Sequence, residues 1–404
     1  MTESKSAKRH PRLLVATEFP PNASGGGPAV VRQMLKGWPT DRIYWWSCLE
    51  QRDQRFGQKV AGHHVAKIPR RLYPEQRWAR QKSWLLENVW NHWAARHFRA
   101  TLSSVKPDVV WVIPHFWSIL PLAQALSKAV VPFHVSLHDY PDSLRSVARV
   151  GPRRAAGLAA MADRLYANAG TRDAICAPMV ADLRQRTAAD GNVCRAGLEP
   201  GDFDYLVRRC TPTLEEIRIA YAGTIIVEAE FAAFVASLNR VRSSLAKPIL
   251  LEITGAHSYV GRSWFDCSWM KELGNLAEPA LSEALRRCTW GFAPMGLEDD
   301  DPRYNRFSLP TKLISYLANG LPVITLGHPS SSLVKIAQAY AIGTCVTGLE
   351  VRELDEALRH ALVHHDPWAR FGGEIQRCAR TEFDATRMRN LLHECWFRIG
   401  ERRP

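Results

Sequence analysis

Short apolar runs alternate with amphipathic stretches along most of this chain. Residues 12–17 (Arg-Leu-Leu-Val-Ala-Thr) predict a buried strand, followed by a glycine-rich loop and a helix over about 29–36. Further strands are expected over 43–49, 109–113, 133–137, 164–167 and 192–195, with helical spacing between them. Such alternation predicts a doubly wound parallel sheet. The pattern then restarts with a strand over 218–223 ending in glycine, a helix over 229–245 and a strand over 249–254. Strands over 290–294, 322–326 and 343–346 follow. Two successive α/β units thus meet in a linker near 204–215, with no internal repeat of sequence. Met388, Leu391, Leu392, Cys395, Trp396 and Ile399 recur at helical spacing and predict a strongly amphipathic last helix.

The stretch 306–325 carries the most information. Pro310 suits a first helical turn, where its missing N–H costs nothing. Leu313, Ile314, Leu317 and Ala318 make one apolar face, Gly320 and Pro322 stop the helix, and Val323-Ile324 open a strand. Lys312 is out of place: a cation in the first turn sits at the positive end of the helix dipole. A bound anion shared by Lys312 and the free N–H groups of that turn would explain it; a solvated surface lysine is the alternative.

The run Pro310-Thr-Lys-Leu-Ile-Ser-Tyr-Leu-Ala-Asn-Gly-Leu-Pro-Val323 resembles the signature of retaining glycosyltransferases of the GT-B fold, in the large family-four group. The resemblance implies two Rossmann-like domains facing a cleft, with a terminal helix crossing back to the N-terminal domain. It implies a nucleoside-diphosphate sugar donor held by the second domain, no metal and no other cofactor. On this reading Lys312, Pro310, Thr311, Ser315, Ser308, Gly223 and Thr224 face the donor, and Arg303, Asn305 and Arg306 help offset the diphosphate charge. Two departures stand out. The group's two glutamates, eight positions apart, fall at Phe307 and Ser315, and the cations usual after the first strand of the second domain are absent from Thr224-Ile-Ile-Val-Glu-Ala-Glu230.

Glu18-Phe-Pro-Pro21 with Gly25, Gly26 and Gly27 resembles the opening loop of the same group, which borders the donor. It is neither a dinucleotide fingerprint nor a P-loop, since no G-x-G-x-x-G or G-K-[ST] occurs there. Three glycines still let a backbone approach a ligand closely; a flexible loop is the other reading. His138-Asp139 closes a strand at a loop mouth, a ligand-bearing position in α/β sheets. Val-Ser-Leu-His-Asp resembles the group's His-Asp element, which makes His138, Asp139 and Lys312 the expected catalytic residues. His138 is read as positioning a sugar hydroxyl or the leaving phosphate. His115, also after a strand, is an acceptor-side candidate. Glu298-Asp-Asp-Asp301 resembles the metal motif of GT-A enzymes but is read as an acidic loop, so no metal ligands are expected.

A chain of 404 residues suits two domains. The expected division is a basic disordered tail over 1–10, an acceptor domain over 11–207, a donor domain over 208–380, and a returning helix over 381–404. The formal charge of +13 favours polyanionic surroundings without choosing among them. The nine cysteines are scattered with no C-x-x-C, as in a reduced cytoplasmic protein. No apolar signal segment follows the basic N-terminus. Residues 70–99 mix Arg70, Arg71, Arg77, Trp78, Trp84 and Arg99 with further cations and aromatics. This composition suits peripheral docking on the inner face of an anionic membrane carrying a lipid-linked or other glycan acceptor; nucleic acid is not the expected partner, and a purely structural aromatic core is the plain alternative. The expected function is therefore sugar transfer from a nucleoside-diphosphate sugar to a cell-surface glycan or glycoconjugate precursor. The competing reading is a degenerate GT-B scaffold that binds nucleic acid or regulates. A nicotinamide-dependent dehydrogenase lacks its fingerprint.

Overall fold

The computed structural model describes residues 10–23, 25–50, 57–73, 77–140, 150–209, 215–298, 302–363 and 366–401. Most of the basic tail, Cys210, part of the linker and residues 299–301 of the acidic run lie outside these. The chain forms two compact units: Met1–Arg195 with Arg387–Pro404, and Ala196–Thr386.

The first unit is built on a seven-stranded sheet. Its strands are β1 (Leu13–Thr17), β2 (Ile43–Ser47), β3 (Gly62–Val65), β4 (Val109–Ile113), β5 (Phe133–Leu137), β6 (Thr171–Ala174) and β7 (Asn192–Val193). Their order is β3-β2-β1-β4-β5-β6-β7, and the pairings are parallel. Central strands β1, β4 and β5 are buried along their whole length, which is why they read as unbroken apolar runs rather than alternating ones. The helix Ala385–Gly400 belongs to this unit from Arg387 onward. Its Trp396 packs 4.9 Å from Trp111 and 5.1 Å from Trp38, centroid to centroid. His393 hydrogen-bonds the Met34 carbonyl at 2.9 Å through Nε2.

The second unit carries β8 (Ile217–Ala222), β9 (Ile249–Thr254), β10 (Met270–Gly274), β11 (Trp290–Pro294), β12 (Val323–Leu326) and β13 (Gly343–Val346). They run parallel in the order β10-β9-β8-β11-β12-β13. In each sheet the order reverses once around the first strand, at β1/β4 and at β8/β11. Crevices at such reversals, beyond the strands' C-terminal ends, are where open α/β sheets bind ligands.

Several expectations need correction. Residues 164–167 are not a strand but the end of the helix Pro152–Asn168. Leu158, Ala159, Ala162, Leu165 and Tyr166 are buried at helical spacing, and the short apolar patch at 165–166 is one turn of that face. Three strands were invisible to periodicity. β3 reads Gly-His-His-Val on the sheet edge, and β10 reads Met-Lys-Glu-Leu-Gly. β6 reads Thr-Arg-Asp-Ala because its Asp173 is buried against His134, Nε2 to Oδ2 2.6 Å. The boundary between units falls at Arg195/Ala196 rather than 207/208. Leu198 and Leu206 bury in the second unit's core, and Leu198 exchanges backbone hydrogen bonds with Phe383 and Ala385.

Candidate functional site

In the first unit the chain after β1, β4 and β5 brings Phe19, the glycine loop, His115 and His138 to the C-terminal end of the sheet. Gly25 holds φ 106° and ψ 173°, a conformation open essentially to glycine alone. It lets the chain turn directly into the helix Gly26–Met34, whose first turn has no side-chain cap and no acid. A Cβ on Gly27 would lie 3.9 Å from both His115 Nε2 and the Phe19 ring, so the glycine keeps open the space before the imidazole. His115 Nε2 is buried without a hydrogen-bond partner, and its Nδ1 lies 3.8 Å from Asp139 Oδ2. Phe116 next to it holds φ 26°, a strained value for an aromatic residue. His138 lies 6.2 Å from His115, ring to ring. Burial, with His115 as a second cause, pulls the His138 pKa down to about 3. The edge of His138 is still partly accessible, but its enclosed ring is neutral at physiological pH. It can exchange hydrogen bonds; it cannot serve as a cation.

In the second unit the site forms where β8 and β11 part. Their pairing covers Ile219 and Ala220 against Trp290 and Gly291. Beyond that point the Tyr316 hydroxyl takes over, accepting from Ala222 N–H at 2.8 Å and donating to the Phe292 carbonyl at 3.0 Å. Tyr316 is fully buried, and a Cβ on Gly291 would come within 2.6 Å of its ring. Gly291 is thus what allows the ring to lie on the strand, and the ring satisfies backbone groups that diverging strands would orphan.

Lys312 sits at the second position of the helix Thr311–Ala318, whose first turn has no acid and whose N-cap, Pro310, offers no side-chain cap. Its Nζ donates to the Tyr221 hydroxyl at 2.7 Å and lies 3.9 Å from that ring's centroid. Tyr221 in turn donates to the Thr224 carbonyl at 2.8 Å, which ties the lysine to the loop beginning at Gly223. Gly223 has φ 102° and accepts close approach by Gly255, whose Cβ would come 2.8 Å from the Gly223 carbonyl oxygen. Burial pulls the Lys312 pKa down to about 7. The residue keeps some accessible surface, but desolvation is the one cause of the shift, with no carboxylate holding the charge in place.

The structure thus brings Lys312, Gly223 and Thr224 together in one unit, and Gly25, Gly26, Gly27, His115, His138 and Asp139 in the other. Pro310 is the N-cap, one residue before the helix proper, rather than part of its first turn. Asn305 is buried and its amide donates to the Glu298 carbonyl at 2.9 Å, so it shapes the loop. Arg306 is exposed with its guanidinium 5.2 Å from the Phe307 ring; Arg303, Ser308 and Ser315 are partly accessible and Thr311 exposed. Phe307 is buried. The acids after Gly223 are occupied: Glu230 accepts from Leu297 N–H at 2.9 Å and Glu228 from the Trp264 indole at 3.3 Å. Among the described residues no group of three or more His, Cys, Asp and Glu could hold a metal ion, and no helix is long and apolar enough to cross a membrane. Their cysteines are free thiols, most of them buried. Sequence reading missed Tyr221 and the Tyr316–Gly291 pair. Tyr316 lay in plain sight within the 310–323 run, but only the strand geometry gives its hydroxyl a task.

No family model and no curated relative matches the sequence. Solved structures do match in shape. The chain is similar to sucrose-phosphate synthase from Thermosynechococcus elongatus at TM-score 0.68 and 13% identity, covering 96% of this chain and 99% of that one. It is similar to α,α-trehalose 6-phosphate synthase from Burkholderia multivorans at TM-score 0.64 and 12% identity, covering 97% and 99%. An E. coli trehalose-6-phosphate structure bound with UDP-2-fluoro glucose matches at TM-score 0.63 and 12% identity, covering 97% and 99%. With two parallel-sheet α/β units and near-complete coverage in both directions, the fold is GT-B.

Proposed function

We propose that this protein transfers a sugar from a nucleoside-diphosphate sugar to an acceptor, with retention of anomeric configuration. The observation that carries the reading is Lys312: a desolvated ammonium with no acid partner, at the uncapped start of a helix where β8 and β11 part. A departing diphosphate is the counter-charge this arrangement lacks. Helix N–H groups and Lys312 stabilise it as it leaves, with Arg303 and Arg306 adding positive potential. Gly223 and Thr224, and Gly25 to Gly27, allow backbone contact with the donor. His138, neutral, hydrogen-bonds a sugar hydroxyl or the leaving phosphate, and Asp139 orients His115 beside it. Helix and side-chain charge suffice for the leaving group, so no metal is required.

The donor class is supported by the structures that share the fold, which include a UDP-forming synthase and one bound with UDP-2-fluoro glucose. The acceptor in this reading is a cell-surface glycan or lipid-linked precursor, with peripheral contact to an anionic membrane through residues 70–99. A sugar phosphate is the first alternative, since one similar structure holds glucose-6-phosphate. A second reading, a scaffold that no longer transfers sugar, is favoured by Phe307 and Ser315 standing where the resemblance expects glutamates. A thermal-shift panel of nucleoside diphosphates, nucleotide sugars and duplex DNA separates the two, because specific binding stabilises by mass action. Stabilisation by a nucleotide sugar is the expected result. Stabilisation by DNA alone would sink the transferase reading.

A further inference from the structure

Away from the C-terminal ends of the strands, helices of the first unit and Phe133 at the start of β5 line an open groove of about 580 Å³, a size typical of small-ligand sites. Its lining is mainly apolar, from Leu120, Ala123, Leu126, Leu158, Met161 and Leu165. Gly157, in the helix Pro152–Asn168, leaves it open: nothing lies within 4 Å of where a Cβ would be. Arg153, Arg154 and Arg164 also line it. Arg154 is engaged, donating to Glu87 at 3.0 Å and to the Arg80 carbonyl at 3.1 Å. Arg153 and Arg164 are exposed, and among the described residues neither makes an ion pair. They stand eleven residues apart on one helix face, about 16 Å along its axis. Asn91 in the groove wall is buried, and its Oδ1 has no hydrogen-bond partner.

Trp84, 53% exposed, lies in the helical run that leads through Glu87 to Asn91 in the groove wall. The run also exposes Leu85, Val89 and Trp93. Exposed apolar and aromatic side chains in this number mark an interaction surface rather than ordinary surface scatter. We propose that the groove takes an acyl chain of an anionic phospholipid from a bilayer surface, with Arg153 and Arg164 on the lipid phosphates and Trp84 at the interface. The charge and the apolar lining are complementary to such a lipid at once. A nucleic acid would use the arginines and leave the apolar cavity exposed. The inference rests on the membrane contact proposed above through residues 70–99 and gives it a ligand and a groove; it does not depend on sugar transfer, which its test does not read.

The experiment is co-sedimentation of the full chain with vesicles of phosphatidylcholine alone or mixed with phosphatidylglycerol. Wild type should partition to the mixed vesicles and little to the neutral ones. A Cβ on Gly157 meets nothing within 4 Å, so Gly157→Leu directs its side chain into the groove and is a better helix former; it should keep its melting temperature and lose most vesicle binding. Arg153→Glu with Arg164→Glu should weaken binding at least about tenfold. The proposal is overturned if wild type ignores anionic vesicles, or if both variants sediment as wild type does. It is equally overturned if the chain binds monomeric dodecyl phosphate or duplex DNA, with the same sensitivity to these substitutions, while ignoring vesicles.

Discussion

If Lys312 holds the donor's diphosphate as proposed, its pKa makes donor affinity a function of pH near neutrality. Burial brings that pKa to about 7, so roughly nine tenths of the unliganded protein carries the charge at pH 6 and about 3% at pH 8.5. If the diphosphate binds the protonated form, the apparent Kd scales inversely with that fraction and weakens about thirtyfold across the interval. A charge-assisted contact worth about 1.5–3 kcal/mol caps the loss at roughly 10- to 150-fold. Binding should take up almost no proton at pH 6 and, since a coupling of that size raises the bound lysine's pKa by only about one to two units, roughly 0.2 to 0.8 of a proton at pH 8.5. Isothermal titration of a nucleoside diphosphate in two buffers of different ionisation enthalpy measures both quantities. The nucleotide's own phosphate also titrates, so the comparison is with Lys312→Met, which should bind weakly at every pH and show the phosphate's slope alone. The sign for stability is opposite. Burial lowers the pKa, so between pH about 7 and the ordinary value of 10.5 the unfolded chain holds the extra proton; unliganded wild type gains stability relative to Lys312→Met as pH rises through that window. A wild-type Kd with the same pH slope as the variant, and no excess proton uptake, would refute the reasoning.

His138→Ala should lower kcat and kcat/KM together by roughly tenfold or more while nucleotide Kd and melting temperature hold; a fall in melting temperature with per-molecule kcat intact would make the residue structural. With its pKa near 3, His138 should contribute no inflection near pH 6.5 to the rate profile of wild type. Tyr316→Phe orphans the Ala222 N–H and the Phe292 carbonyl, at a cost of about 2–4 kcal/mol in urea unfolding; an unchanged midpoint would show that the strands close up without it. Sugar transfer or donor hydrolysis should survive EDTA, and loss restored by Mn or Mg would instead assign the acidic loop after Leu297 a metal.

Central strands and the candidate residues that follow them could be picked out because both depend on local sequence. β1, β4, β5, β8 and β11 are buried on both faces, and burial demands the apolar runs that periodicity detects. Lys312 could be singled out because a cation at a helix start is locally unfavourable. What escaped depends on contacts distant in sequence. β6 carries Asp173, a residue that argues against a strand until His134, on a neighbouring strand, is placed against it. Tyr221 reads as one more strand residue until Lys312, 91 positions later, reaches its hydroxyl. The end of the first unit was misplaced because Leu198 and Leu206 are as apolar as any residue of that unit, and only their packing in the other core assigns them.

The departure from the glycosyltransferase pattern at positions 307 and 315 acts on Lys312. A carboxylate at position 315 would stand three residues from the lysine on the same helix face, and a neighbouring negative charge would hold the ammonium protonated well above neutrality. Ser315 supplies none, Phe307 is buried and uncharged, and Glu228 and Glu230 are committed elsewhere. Desolvation therefore acts unopposed, and the lysine loses its proton within the physiological range. The hydroxyl of Tyr221 still holds the amine in place in either state, because its own pKa is pushed up by burial and it stays protonated. The site is thus positioned before it is charged. An arriving anion would restore the missing charge, and in the proposed function the donor's diphosphate is the counter-ion that a carboxylate at position 315 would otherwise supply to the lysine.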